Sequence, residues 1–175
     1  LGTGQSLIKM TFDRLTASVP PENILVVTNE SYRSDVEQHL PELHAENILG
    51  EPCMRNTAPC IAYANSVITS RASDPSNTSI IVAPSDHLIT NKGEFNRVLN
   101  QAFNVAVKSS SIVTIGITPS RPDTGYGYIK HSNSDVIEFT EKPDAETAKG
   151  FLKSGDYCWN SGIFVFKSKL ILKEI

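Results

Sequence analysis

No stretch of this chain approaches the roughly 18 successive apolar residues of a membrane helix, and no basic segment followed by an apolar core opens it. A soluble, cytoplasmic protein without a membrane partner is the expectation. Cysteine is scarce: Cys53, Cys60 and Cys158 are odd in number and show no CxxC spacing. That excludes a disulfide framework and a thiolate zinc site, and leaves reduced thiols in or near the core. Charge of one sign is lacking too, since 16 Lys and Arg stand against 19 Asp and Glu for a net −3, and the basic residues are scattered. Such a surface does not suit nucleic acid or anionic membranes, so any phosphate-bearing ligand has to be held by local features. Neither nucleotide fingerprint is complete. Gly2-Thr-Gly4 follows no strand and lacks the remaining glycine and lysine, and it reads as a plain turn.

What is present is 175 residues, 39% hydrophobic and 20% charged, enough for one well-buried domain. Leu1 in place of Met, and an amphipathic run at 168–175 without a stop signal, read as the ends of a fragment. The chain is organised around Ser79-Ile-Ile-Val-Ala-Pro-Ser-Asp-His87. Its apolar run has no polar alternation, which predicts a central strand buried on both faces of a parallel sheet, ended by Pro84. Ligands of open α/β sheets sit beyond the carboxyl ends of the strands, so Asp86 is the first candidate functional residue. Ser85, Asp86 and His87 do not form a catalytic triad, because neighbouring side chains in extended backbone diverge. His87 reads as structural.

Around this stretch, strands and helices alternate. Ser6 caps a helix carrying Ile8, Phe12 and Leu15, Pro20-Pro21 ends it, a strand covers 24–28, and a helical segment runs over 29–40. A short strand at Ile48-Leu49 leads to Glu51-Pro-Cys-Met-Arg-Asn-Thr-Ala-Pro-Cys60, where Asn56 or Thr57 caps a helix with Pro59 in its first turn, running to about Arg71. Phe95, Val98, Leu99, Ala102, Phe103 and Ala106 mark the clearest helix, and 112–117 the next buried strand. This alternation specifies a three-layer, Rossmann-like α/β domain with a mostly parallel sheet. After residue 117 the pattern becomes irregular and β-rich: a turn-rich aromatic segment, a strand at 136–139, a helix capped by Asp144, and a strand at 157–166 interrupted by Asn160-Ser-Gly162, which suggests a bulge or a backbone approached by ligand. The single domain therefore divides into 1–117 and a smaller part, 118–175, forming the second wall of a cleft.

Several residues permit ligand chemistry. Asp86 is a hard oxygen ligand, half of a Mg²⁺ site that substrate phosphates and water complete, or else a solvated loop aspartate. Arg55-Asn-Thr-Ala58 offers donors at a helix N-terminus, for an anionic ligand or for ordinary capping. Thr124-Gly-Tyr-Gly127 allows close backbone approach and equally a plain turn. Glu141-Lys142 pairs an acceptor for sugar hydroxyls with a cation for phosphate, or else is a solvated charged strand end. Asn160, in an apolar strand, needs a partner from protein or ligand.

Five motifs, Glu51-Pro-Cys-Met-Arg-Asn-Thr-Ala-Pro59, Val82-Ala-Pro-Ser-Asp-His87, Pro122-Asp-Thr-Gly-Tyr-Gly-Tyr-Ile129, Phe139-Thr-Glu-Lys-Pro143 and Trp159-Asn-Ser-Gly-Ile-Phe164, together resemble those of bacterial mannose-1-phosphate guanylyltransferases in order and spacing. The resemblance implies a nucleotidyltransferase that joins GTP and mannose 1-phosphate into GDP-mannose with Mg²⁺. It implies that Glu51, Arg55, Asn56, Thr57, Ala58, Pro84 and Ser85 line the nucleotide side. Asp86 is then the metal ligand, Asp86 and Lys142 are the catalytic pair, and Gly125, Tyr126, Glu141, Lys142 and Asn160 face the sugar phosphate. The family's glycine-rich loop is expected ahead of Leu1 and its second metal-binding aspartate after Ile175, so the fragment alone is expected to turn over poorly. A thymidylyl- or uridylyltransferase, or a non-catalytic sugar-nucleotide sensor, stays open as an alternative, as does homo-oligomerisation.

Overall fold

A computed structural model describes residues 4–51, 53 and 56–174, with the side chains of 172–174 outside that description. Gly2, Thr3 and Arg55 also lie outside the described residues. Local signals set the helices. Ser6 Oγ accepts from the Lys9 N–H at the start of α1 (Leu7–Leu15), Asn91 Oδ1 from Glu94 at the start of α4 (Lys92–Ser109), and Asp144 Oδ1 from Thr147 at the start of α5 (Ala145–Ser154). Each bond satisfies one N–H that the first turn leaves without a partner. Between α1 and α4 lie β1 (Val26–Asn29), α2 (Arg33–His39), β2 (Ile48–Glu51), α3 (Thr57–Arg71) and β3 (Ser79–Val82); after α4 come β4 (Val113–Ile117), β5 (Tyr128–Ser132), β6 (Asp135–Thr140), α5, β7 (Tyr157–Lys167) and α6 (Ser168–Glu174).

The chain is α/β and layered, as its alternation predicts, but its ladders differ from the expected ones. β1 and β2 pair in parallel, Val26 opposite Ile48. β3 has no parallel partner among the described residues; it pairs antiparallel with β7, Ile80 opposite Phe166. β7 also pairs antiparallel with β4 along its other edge and with β5 through Tyr157–Trp159, and β5 and β6 form a hairpin. An apolar run reports that both faces of a strand are covered; it says nothing about which strand meets its edges. β7 runs on through Asn160-Ser-Gly162 but is bulged there, as expected: Thr114 faces Phe164 and Gly116 faces Asn160, so the ladder to β4 shifts between them, and Gly162 has a φ of +69°. The strand from 157 to 167 therefore lies between β3 and β4, which both come from the first 117 residues, while β1 and β2 pair as a separate ladder.

β3 alternates cleanly. Ile80 and Val82 pack with Ile61 and Ile68 of α3, whereas Ile81 and Ala83 join Leu99, Ala102 and Phe103 of α4. A third cluster packs Phe12 of α1 with Ile24, Val36, Leu40 and Ile48. Helices cover both faces of the sheet, which is the three-layer arrangement. The three cysteines are free, and among the described residues no helix is long and apolar enough to cross a membrane.

Candidate functional site

The chain turns sharply where β3 ends. Thr11 Oγ1 of α1 donates to the Ser85 carbonyl at 3.5 Å. On the other side Gly162 sits against Pro84: a Cβ on Gly162 would lie 3.1 Å from Pro84 Cγ, and the φ of +69° is left-handed backbone that glycine adopts without strain. Asp86 stands on this turn with its side chain 80% exposed and its Oδ1 3.8 Å from His87 Nε2. The expected divergence of Asp86 and His87 fails here because a turn does not keep the alternation of extended backbone. Below the turn lies Arg14, which sequence reasoning did not single out. It is 3% exposed, donates to Thr11 Oγ1 at 2.9 Å and stacks over Phe95 at 5.1 Å, and burial lowers its pKa.

Gly162 leads from this turn to the segments around Gly127 and Glu141. Asn160 Oδ1 accepts from the Gly162 N–H at 3.1 Å and from Thr114 Oγ1 at 3.3 Å, so its amide holds the left-handed turn within β7. The Asn160 N–H donates to the Gly127 carbonyl at 2.8 Å. Gly127 is buried, and a Cβ there would lie 2.8 Å from both Glu141 Oε2 and Phe139 Cζ. Glu141 and Lys142 are exposed with 3.8 Å between their charged atoms, and Lys142 has a φ of +44°, unusual for a side chain-bearing residue. Pro84, Gly162, Asn160, Gly127 and Glu141 thus form an unbroken chain of contacts that joins four of the five motifs.

The segment 121–127 is locked by a residue the sequence reading passed over. Asp123 Oδ1 accepts from the Gly125 N–H at 2.9 Å, its Oδ2 pairs with Arg121 at 2.7 Å, and its carbonyl accepts from the Tyr128 hydroxyl at 2.9 Å. The Gly125 N–H first, and Arg121 second, hold its carboxyl below the usual aspartate range. An Asp two residues before a Gly is the available signal for such a turn. Gly125 and Tyr126 are exposed, and the Tyr126 ring meets Trp159 edge-on at 5.1 Å, with Arg121 over Trp159 at 5.3 Å.

The fifth motif lies on the far side of a groove. Glu51 ends β2, half-buried, and burial first and its charge second push the Cys60 thiol of α3 up. Asn56 holds the N-cap position, yet its side chain makes no capping bond and its backbone is at φ +67°, ψ −170°. This corrects the expected Asn56 or Thr57 cap. Thr57 and Ala58 are exposed in a first turn whose N–H groups the Asn56 side chain does not cap. Among the described residues no three His, Cys, Asp or Glu side chains converge as a metal cage. Asp86, exposed and without a Lys or Arg partner among the described residues, fits instead a cation that takes one protein carboxylate and completes its shell with ligand oxygens.

The role of Asn160 is testable by itself. Asn160→Ala removes the acceptor for two donors, a loss of about 1–3 kcal/mol, and a chain of this size loses roughly 2–4 °C per kcal/mol. We expect a fall in melting temperature of several degrees in a thermal denaturation scan; an unchanged transition contradicts the structural bond.

The site can be set beside known proteins. The chain is 40% identical over 176 residues to the xanthan biosynthesis protein XanB of Xanthomonas campestris pv. campestris, covering 97% of this chain and 37% of that protein. It is 36% identical over 182 residues to the mannose-1-phosphate guanylyltransferase of Escherichia coli K12, with the same coverage. It therefore spans little more than a third of the curated relatives it matches. Among solved structures, one named mannose-1-phosphate geranyltransferase from Thermus thermophilus superposes with a TM-score of 0.87 at 26% identity, covering 99% of this chain and 50% of that one. Another, named mannose-6-phosphate isomerase from Helicobacter pylori, gives 0.86 at 33% identity, covering 99% and 66%. The family model described as nucleotidyl transferase matches residues 1–175, and the chain belongs to that family.

Proposed function

We propose that the full-length protein is a cytoplasmic enzyme that transfers a guanylyl group from GTP to mannose 1-phosphate, giving GDP-mannose and pyrophosphate. Family membership and the guanylyltransferase name of the Escherichia coli relative support it. The observation that carries it is the contact chain from Pro84 through Gly162, Asn160 and Gly127 to Glu141, which ties the turn bearing Asp86 to the wall bearing Glu141 and Lys142.

Nucleotidyl transfer asks little covalent chemistry of a protein. A phosphate oxygen of mannose 1-phosphate attacks the α-phosphorus of GTP, the bond from that phosphorus to the bridging oxygen breaks, and pyrophosphate leaves. What the chain supplies is position and charge. Oδ1 of Asn160 is engaged by the backbone, which leaves Nδ2 for a sugar hydroxyl, beside Glu141 as acceptor and next to the glycines 125 and 127. Lys142 offsets phosphate charge. On the nucleotide side the N–H groups of Thr57 and Ala58, which the Asn56 side chain does not cap, favour an anion, with Glu51, Asn56, Pro84 and Ser85 as its other neighbours; Arg55 is assigned to this side by the family resemblance alone. Asp86 would hold Mg²⁺, which supplies charge neutralisation on the phosphates.

Turnover of GTP, dTTP and UTP with mannose 1-phosphate in the full-length protein tests the reading. GTP is expected to give the highest kcat/KM; preference for a pyrimidine nucleotide replaces this function with a thymidylyl- or uridylyltransferase, and no turnover leaves a binding protein.

A further inference from the structure

Among the described residues Arg14 of α1 is a cation inside the protein without an anion. It is 3% exposed, its Nε has no hydrogen-bond partner among those residues, and burial, with no carboxylate acting against it, lowers its pKa. A buried ion without a counter-ion weakens a fold, and an apolar side chain of similar length often serves stability better. Folding alone therefore does not account for Arg14. What it touches is one segment, gripped at both ends. Nη2 donates to Thr11 Oγ1 at 2.9 Å, and Thr11, 5% exposed and one turn back on the same helix, donates in turn to the Ser85 carbonyl at 3.5 Å. The second bond is long, and it gains from the first, because a hydroxyl that accepts from a charged donor is polarised into a better donor itself. The guanidinium also lies over the ring of Phe95, in the first turn of α4, at 5.1 Å. Residues 85–91 between these grips form neither helix nor strand, so the anchors at their ends set their course. Asp86 stands on that segment.

We propose that Arg14 is a positioning residue for Asp86: acting through Thr11 at the start of the segment and through Phe95 beyond its end, it fixes the turn after β3 and with it the place of the Asp86 carboxylate. Arg14 touches neither substrate nor cation in this role, and the proposal rests on the part given to Asp86 in the function above. Its effect is on orientation. The Asp86 side chain is 80% exposed and has no packing of its own to hold it, so the backbone beneath it has to do so. A misplacement of about 1 Å in such a group lowers rate by roughly 100-fold, which sets the scale of what the clamp contributes. A charge that is costly to bury is then retained for the site it steadies.

Arg14→Met, Arg14→Lys and Thr11→Val in the full-length protein, with Asp86→Asn beside them, test this by three measurements: melting temperature, kcat, and calorimetric titration of GTP with and without Mg²⁺ in the absence of sugar phosphate. Arg14→Met is expected to lower kcat by about 10–100-fold and to lose most of the tightening that Mg²⁺ gives to GTP binding, at a melting temperature no lower than that of the wild type. Arg14→Lys keeps the cation and a donor for Thr11, and should recover at least about tenfold of the lost rate. Thr11→Val removes the relay and should lose roughly tenfold. A lowered melting temperature with unchanged kcat and unchanged Mg²⁺ response makes Arg14 a structural residue and overturns the proposal, as does equal loss in the Met and Lys variants. If Arg14→Met does not fold, full activity in Thr11→Val overturns it alone. A wild-type Mg²⁺ response in Asp86→Asn overturns the reading of Asp86 and this proposal together, whereas loss of the response in Asp86→Asn with its retention in Arg14→Met removes Arg14 only.

Discussion

Asp86→Asn is expected to reduce turnover of the full-length protein by on the order of 100-fold or more while leaving its melting temperature unchanged. The substitution is nearly isosteric, and the side chain is 80% exposed with only a 3.8 Å approach to His87 Nε2 among the described residues, so folding loses little with it. What is lost is the negative charge on the turn beyond β3. Raising Mg²⁺ should restore part of the activity if the carboxylate acts by holding the cation, since weaker binding is offset by concentration. Wild-type activity at limiting Mg²⁺ removes Asp86 from the site, and a lowered melting temperature assigns it to the fold.

The other large effect is expected at Gly127. Ala in its place brings a methyl to 2.8 Å from the carboxylate of Glu141 and from the Phe139 ring. Both neighbours are exposed side-chain ends that swing aside, so the cost in stability is small. The displaced carboxylate is another matter: a misplacement of about 1 Å in a positioning group lowers rate by roughly 100-fold. We expect Gly127→Ala to lower kcat/KM for mannose 1-phosphate by about that factor, with GTP binding near normal. Gly125→Ala, whose Cβ would meet only Asp123 Oδ1 at 3.2 Å, is the comparison and should lose less. Unchanged sugar-phosphate kinetics in Gly127→Ala would detach Glu141 from the site.

Helices and their starts were legible because their causes are local. Phe95, Leu99, Ala102 and Ala106 recur at helical spacing and all are buried, and Ser6, Asn91 and Asp144 each accept from the N–H three residues on. The hairpin of β5 and β6 was half legible: the aromatic Tyr126 to Tyr128 region reads as turn, while β5 begins at Tyr128 and reverses at Asn133 and Ser134, both at positive φ. Asn56 misled because a favoured capping residue sits in the cap position without making the bond.

The sequence by itself determined the layered α/β class, most elements, and the motifs whose residues are candidates for the site. Periodicity and capping are carried by residues within one or two turns of each other, so a linear reading suffices for them. Tertiary structure alone decided that β7 pairs with both β3 and β4, that Gly162 meets Pro84, and that Asn160 binds Gly127. Strand edges make the same backbone hydrogen bonds with almost any neighbour, so which edges meet is settled by packing across the whole sheet, which no local pattern records.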